Sequence, residues 1–465
     1  MRARIEQAIQ THPLLGPILD GVASDEEPVY LVGGALRDMA LGLEPKDLDF
    51  ATSRPYDMAL KFAGKFGSRV VSLGKDATST YRIPLEGFSL DWVGLAGGTI
   101  EDDLRRRDFT VNAIAYDPDR DKFLDPLDGF RDLQTRRIRM GSPGAFEQDP
   151  ARIVKAYRLI AQFEGFEIEE HTAAVLREQR DMLVDVVPER LHAELERLFQ
   201  ARRVSHAVRL MAASGVLFVL LPELKALEGL EQNDYHHVDV LEHTLLALEA
   251  CDGEPRWLGN IGVRPFTSEQ MELLRLSVLL HDLGKADTKS VDAAGRVHFY
   301  GHPKPSAEKA RAALKRLRYS NAVAEAVADL CLNHLRPLAQ IKTAPRHTAI
   351  RRLIHSMGDR LELLLALAYA DKSAARGRDL ESNLRDLEVY SKEVLSVRTE
   401  EGSELQRLPK LVSGLEAVEI LGLQRPGPDL GLALDALMER QIDGTIADRT
   451  QAVTFLKEWR REHLR

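Results

Sequence analysis

The sequence is poor in cysteine. Its 465 residues include only Cys251 and Cys331, far apart and without metal-ligand spacing, so they read as ordinary reduced thiols. Long apolar runs are missing as well. No stretch approaches the ~18 consecutive apolar residues of a membrane span. The two arginines of MRARIEQAIQ lead into no apolar segment of a secretory signal. The expected compartment is therefore the cytoplasm, with no membrane partner and no obligate protein partner. No fixed-period repeat and no low-complexity tract is visible. Nor is there surplus positive charge. The net charge of −9 argues against indiscriminate nucleic-acid binding and leaves any such role to local patches.

What is present suffices for several folded domains. Apolar residues make up 44% and charged residues 29% of the chain, and the length fits roughly two to four domains. Short strand-like runs alternate with helices over the first part: Val29–Val32, Leu48–Ala51, Val70–Leu73, Tyr81–Leu85 and Phe88–Val93. After Pro143 helical patterns dominate, punctuated at Pro188, Pro222, Pro303, Pro337 and Pro426. The expected fold class is α+β: a small α/β head with a mixed sheet, then an all-helical remainder. The expected divisions are 1–140, 141–230, 231–385 and 386–465. Basic residues cluster at Arg105–Arg107, Arg131–Arg139, Lys309–Arg318 and Arg346–Arg352. Each cluster alone reads as a solvated face, and the four together as a segregated basic surface.

The most informative stretch is YLVGGALRDMALGLEPKDLDFAT. A buried strand runs into Gly33-Gly34 and then into a helix beginning near Ala35. Glycine lets the backbone approach a ligand, and the helix N-terminus offers N–H groups to an anion. Arg37, one turn in, adds a fork of donors for phosphate. Asp47 and Asp49 are i, i+2 neighbours in a strand and share a face. Two adjacent carboxylates call for a cation, and Mg²⁺ suits one or two carboxylates with phosphate oxygens. A pair of metals there would activate a hydroxyl and stabilise a leaving oxygen. Asp91, in the apolar run FSLDWVGL, is either a third such acid or a strand-edge aspartate.

These residues carry a family resemblance. The stretch resembles the signature of class II tRNA nucleotidyltransferases and bacterial poly(A) polymerases, and EDDLRRRDFTVNAIAYD resembles the R-R-D-F-T-x-N-A motif of that family. LDPLDGFRDLQTRRIR resembles its next segment. The resemblance implies catalytic Asp47, Asp49 and Asp91, with Asp47 and Asp49 holding metal. It implies nucleotide contacts from Gly33, Gly34, Arg37, Asp38, Arg107, Asp108 and Asn112. Arg107 would pair with phosphate, and Asp108 and Asn112 would bond ribose hydroxyls. The plainer reading of Asp108 and Thr110 is a capped helix start.

GSPGAFEQDPARIVKAYRLIAQFEGF resembles the family segment that reads the incoming base through an E-D-x-x-R motif. Here Gln148, Asp149 and Arg152 occupy those positions, and Lys155 and Arg158 follow as further nucleotide contacts. Asp149 and Arg152 are i, i+3 neighbours on a helix. Asp149 before Pro150 also reads as an N-cap with proline at N1. The segment departs from the family: Gln148 replaces Glu, and Lys155 stands where Arg is usual. The stretch from Asp91 to Glu101 is also short. Relatives that add CCA carry a longer loop there, which helps switch specificity from C to A, so its shortness leaves open an enzyme that adds only CC.

A second constellation lies in HHVDVLEHTLLAL, LSVLLHDLGKADT, FYGHPKPSAEKA, LCLNHLRP and LAYADKSAARG. It resembles the HD metal-dependent phosphohydrolase domain. The resemblance assigns His243, His281, Asp282 and Asp371 as core metal ligands and His302 and His334 as those of two-metal forms, with Lys285 near a phosphate. A mixed His/Asp set suits Mn, Fe, Ni, Co or Zn. Met182–Phe199 resembles the family neck, and Leu411–Ile446 the C-terminal segment of its HD-bearing members. There Pro426-Gly427-Pro428 either offers N–H groups to RNA or makes a plain turn. The implied activity is addition of CCA, or only CC, to the tRNA 3′ end from CTP and ATP, with Mg²⁺ in the head and a second phosphohydrolase activity. The alternatives are a poly(A) polymerase, a protein-modifying nucleotidyltransferase with an HD hydrolase, and a catalytically retired RNA-binding protein.

Overall fold

Alternation of polar and apolar residues decides how the head folds. Its sheet has seven strands: β1 (Val29–Val32), β2 (Asp47–Thr52), β3 (Val71–Leu73), β4 (Thr80–Leu85), β5 (Phe88–Gly94), β6 (Ala115–Asp117) and β7 (Lys122–Leu124). The computed structural model describes residues 1–464 except 24–26, 46, 75–79, 233–237, 343–346, 376–379 and 407. The chain divides into two compact units, Met1–Leu220 and Leu221–Arg465.

In the first unit the strand order is β3-β4-β5-β2-β1-β6-β7. Only β2 and β5 run parallel, with Asp47 opposite Ser89, Asp49 opposite Asp91 and Phe50 opposite Trp92. Successive side chains of a strand point to opposite faces. Leu48, Phe50, Leu90 and Trp92 are therefore buried on one face, and Asp47, Asp49, Ser89 and Asp91 lie on the other. Phe50 stacks on Trp92 at 4.8 Å, and Trp92 on Phe62 at 5.1 Å. Phe62 belongs to the helix Pro55–Phe66, which covers the apolar face.

Each of the five expected strands appears, shifted by a residue or so at its ends. β6 and β7 were not foreseen. The expected alternative of a helix starting at Asp108–Thr110 is not what forms. A single 3-10 turn, Thr110–Asn112, leads into β6 instead. β6 and β7 are joined by a tight turn in which the Asp117 carboxylate accepts from the Asp119 and Arg120 N–H groups. Three-residue strands give too little periodicity to be read beforehand.

Beyond the sheet, the helix Ala151–Gln162 buries Ile153, Val154, Tyr157, Leu159 and Ile160 and packs against Pro188–Phe199 and Val204–Ser214. In the second unit the helices Val240–Glu249, Ser268–Leu280, Asn321–Asn333 and Leu361–Ser373 pack around one centre. The helices Gly414–Leu421, Pro428–Ile442 and Arg449–His463 share a separate small core of Ala417, Leu421, Ala433, Leu437, Leu456 and Trp459. No described helix is long and apolar enough to cross a membrane.

The two basic runs of the second unit are largely neutralised locally, whereas in each of the two runs of the head one arginine, Arg107 or Arg139, has an acidic partner. Arg107 pairs with Asp103, Arg139 with Asp132, Arg311 and Lys315 with Glu325, Arg316 with Glu223, Arg351 with Glu401 and Arg352 with Asp443. Arg346 lies outside the described residues.

Candidate functional site

β1 ends with Val32 opposite Asp49. The chain then turns at Gly33, whose φ of +79° suits glycine, and the helix Gly34–Leu41 begins. A methyl group on Gly33 would stand 2.7 Å from Arg107 Nη1 and 3.4 Å from Asp49 Oδ2. The strand end, the arginine and the carboxylate therefore crowd one point. Asp47 Oδ1 accepts from Ser89 Oγ at 2.6 Å. Burial pushes the Asp49 carboxyl up to about 6; Arg107 opposes the shift, while Asp91 and Asp47 add to it. This concentration of carboxylates is the charge pattern that a divalent cation relieves.

Asp91 is held from the other side. Arg82 on β4 sits directly opposite it and donates from Nε at 2.8 Å and from Nη2 at 2.6 Å. Among the described residues the three head carboxylates do not gather within 4.8 Å of one another, as the helical His/Asp groups do.

Around the glycine turn runs a chain of polar contacts. Arg37 Nη1 donates to Asn112 Oδ1 at 2.6 Å, and Asn112 Nδ2 donates to Asp108 Oδ1 at 2.9 Å. Asp108 also accepts from the Phe109 N–H and ion-pairs with Lys155. Burial resists ionisation of Asp108, yet Lys155, Asn112 and the Phe109 N–H together hold it well below the usual carboxylate range. Arg37 pairs with Asp38 and lies 4.8 Å from the centre of the Phe163 ring.

Asp149 is not on the helix with Arg152 but two residues before its first residue, Ala151, in extended backbone. Its Oδ1 accepts from the Ala151 N–H at 3.2 Å, but the N-cap is Pro150, so the expected cap at Asp149 with proline at N1 is displaced by one residue. Its Oδ2 lies 3.8 Å from Arg152 Nε and also takes an Nη2 donor from Arg190. Arg158 is buried, with Nε 2.6 Å from Glu194 and Nη1 2.9 Å from Gln162. Gln148 is exposed.

Sequence reasoning missed Arg82 and Arg190. The signal for Arg82 was available: a two-residue turn at Glu86-Gly87 pairs Leu85 with Phe88 and hence Arg82 with Asp91. No comparable local rule links Arg190 to Asp149.

In the second unit all six expected ligands converge. His243 Nε2 lies 2.8 Å from Asp371 Oδ1, and His281 Nε2 lies 3.5 Å from the same oxygen and 3.2 Å from Asp282 Oδ2. His302 Nε2 lies 3.2 Å from both Asp282 Oδ1 and His334 Nε2. The Nδ1 atoms of His281, His302 and His334 bond the carbonyls of Val278, Phe299 and Cys331 at 2.8, 2.8 and 2.6 Å. Such bonds fix the tautomer and leave each Nε2 lone pair facing inward, as metal-ligating histidines require. His281 Nε2 and both Asp282 oxygens are buried without a well-formed hydrogen bond. Burial disfavours charge here, yet His281 and Lys285 hold Asp282, and His243 and His281 hold Asp371, far below the ordinary range. Burial and the neighbouring His281 push His334 down.

Gly284 explains part of the HDLGKAD pattern. A methyl group there would meet the His302 carbonyl at 2.3 Å, so the segment carrying His302 can cross only over a glycine. Lys285 Nζ reaches Asp282 Oδ2 at 2.7 Å and Gln232 Oε1 at 2.9 Å. Asp371 is the most exposed of the six, at 15% of its side chain.

Known proteins share this arrangement. Residues 29–91 and 89–139 match the poly A polymerase head domain, 165–228 a probable RNA- and SrmB-binding site of polymerase A, and 236–376 the HD domain. The chain is 33% identical to the A-adding tRNA nucleotidyltransferase of Deinococcus radiodurans, over 97% of its own length and 98% of the relative. It is 34% identical to the CC-adding tRNA nucleotidyltransferase of Thermus thermophilus, over 93% of each chain. Its fold resembles the Thermotoga maritima CCA-adding enzyme complexed with tRNA at a TM-score of 0.59 and 20% identity, covering 97% of this chain and 98% of that one. A CCA-adding enzyme with CTP gives a TM-score of 0.62 at 20% identity, covering 97% and 96%. With matches to the head, the probable RNA-binding site and the HD domain in this order, and 33–34% identity to such enzymes over nearly its whole length, the chain belongs to the tRNA nucleotidyltransferase family.

Proposed function

We propose that the chain adds cytidylates to the 3′ end of tRNA from CTP, stopping at CC. The observation that carries the transferase reading is the in-register pairing of Asp49 with Asp91 beside the Gly33-Gly34 turn. The RNA 3′-oxygen bonds to the α-phosphorus, the bond to the β-phosphate breaks, and pyrophosphate leaves. Asp47 and Asp49 would hold Mg²⁺, which when bound would supply charge neutralisation at the phosphates and ease loss of the hydroxyl proton to solvent. Asp91, set by Arg82, aligns the attacking end. The Gly33-Gly34 turn, Arg37 and Arg107 hold the triphosphate. Asp108 and Asn112 take the ribose, and Asp149 with Arg152 meets the base edge. Lys155 and Arg158 support this helix through Asp108 and Glu194.

The limit at CC rests on the link between β5 and the helix Ile100–Arg105, which spans only residues 95–99. The A-adding and CC-adding relatives are nearly equally similar, so assay decides. The protein is incubated with tRNAs ending before CC, at C and at CC, with each nucleotide separately. CTP incorporation into the first two alone is expected. ATP incorporation at the CC end overturns the limit, and long A tails on arbitrary RNA overturn the tRNA reading.

For the helical centre we propose phosphoester hydrolysis. The inward Nε2 atoms and the buried Asp282 carboxylate fit a transition ion such as Mn, Fe, Ni, Co or Zn. Such an ion would supply Lewis acidity and an activated water. Lys285, at the edge of Asp282, is placed to receive a phosphate oxygen.

A further inference from the structure

One group of arginines in the head lacks the acidic partners that Arg107 and Arg139 have. Arg2, Arg4, Arg131 and Arg136 are exposed and line one open groove of about 730 Å³ with Leu41 and Phe130. Among the described residues no acidic side chain lines that groove, and none of the four arginines has an ion-pair partner. Asp132, on the same helix as Arg131, is turned away and held by Arg139 and Thr110. Arg2 is instead steadied on aromatic faces, 5.2 Å from the Phe130 centre and 6.0 Å from Phe123. A cation–π contact fixes a guanidinium while leaving its N–H groups free to donate.

The position matters as much as the charge. Leu41 ends the helix whose first residue, Gly34, forms the nucleotide turn. Eight residues at 1.5 Å each place the groove roughly 12 Å behind that turn. It is therefore no part of the nucleotide site. Four unpaired guanidinium groups, open to solvent in a chain of net charge −9, favour an anion that offers several phosphates in succession.

We propose that this groove binds the sugar–phosphate backbone of the RNA substrate, away from the reacting 3′ end. The inference rests on the reading that the substrate is RNA. Backbone contacts position a nucleic acid without reading its sequence. Arg136 and Arg131 reach from the helix Gly129–Thr135 and its end, and Arg2 and Arg4 from the helix Arg2–Thr11, so two elements grip one strand.

The test compares the full chain with a variant carrying Arg2→Ala, Arg4→Ala, Arg131→Ala and Arg136→Ala. Binding of tRNA lacking CCA is followed by fluorescence anisotropy across a salt series, beside a melting curve and nucleotide-addition kinetics. Each phosphate that is no longer neutralised reduces the slope of log K against log salt by roughly 0.9. The slope should fall by about 2 to 4, with at least roughly tenfold weaker binding at 0.1 M salt. KM for tRNA should rise, while kcat and KM for CTP stay unchanged. An unaltered slope and affinity in a folded variant, with wild type binding and extending tRNA, overturns the groove and leaves the transferase intact. Loss confined to a poly-glutamate probe overturns it in favour of an acidic protein partner. Failure of the wild type to bind tRNA at all is failure of the functional reading itself.

Discussion

Lys155→Met separates two roles for one side chain. As a nucleotide ligand, Lys155 would face a phosphate or base. In the structure it neutralises Asp108, whose side chain is 9% exposed against 28% for Lys155. Breaking a buried pair costs about 3–5 kcal/mol, because a charge is left without its partner. Two features reduce that here: Lys155 is partly solvated, and Asp108 keeps the Asn112 amide and the Phe109 N–H. The expected loss is about 2 kcal/mol, or roughly 4–8 °C in the melting of a unit this size. Asp108→Asn added to Lys155→Met should restore part of it, which a double-mutant cycle reads directly. The pH dependence has a definite sign. Asp108 has a depressed folded pKa, so its contribution is present above its unfolded pKa near ~3.9 and lost as pH falls further toward the folded value. Wild type should therefore lose its advantage over Lys155→Met in acid below about pH 4. A variant that melts like wild type yet binds every nucleotide more weakly would refute the anchoring argument and make Lys155 a nucleotide ligand again.

Three further outcomes are expected. Asp49→Ala should reduce nucleotide addition by at least ~10²–10³-fold while sparing metal binding in the helical centre, as single-turnover assays and metal analysis would show; near-normal addition in a folded variant removes Asp49 from the reaction. His281→Ala with Asp282→Ala should abolish transition-metal content and phosphohydrolase activity but leave nucleotide addition intact; if reconstituted wild type takes up no transition ion, the centre is structural. Arg152→Ala should blur discrimination among CTP, ATP and UTP, because a site built on hydrogen bonds rejects mismatches through unpaired polar groups. Arg37→Ala should weaken all nucleotides alike, and selectivity unchanged in both Asp149→Ala and Arg152→Ala would remove the base-reading role.

Much of this was legible beforehand where a local period or a motif carried it. The alternation in Asp47–Thr52 and Phe88–Gly94 is visible residue by residue, and it fixes which side chains share a face. The hairpin turn at Glu86-Gly87 even contains the Arg82–Asp91 pairing. The six His/Asp residues were legible as types in order, although their convergence depends on helices that share no local pattern. What the sequence could not disclose was pairing between distant elements. Arg190 meets Asp149 only because the helix Pro188–Phe199 packs on Ala151–Gln162. Lys155 turns to Asp108 for the same kind of reason. Charge clusters were opaque for the same reason: Arg316, Arg351 and Arg352 meet acids far along the chain, Glu223, Glu401 and Asp443, that no run of sequence discloses.

The two faces of the β2–β5 pair carry a consequence for fidelity of assembly. Because a strand repeats every two residues, a slip of one position in β2 would carry Asp47 and Asp49 beneath the helix Pro55–Phe66 and expel Leu48 and Phe50 into water. Exposing those two side chains forfeits about 1.5–3 kcal/mol each, before the penalty for burying two carboxylates is counted. A misregistered head is thus an unstable one, and chains that survive folding arrive with their acids already aligned. Proofreading of the reactive geometry is done by the oily side of the sheet, which never touches a substrate.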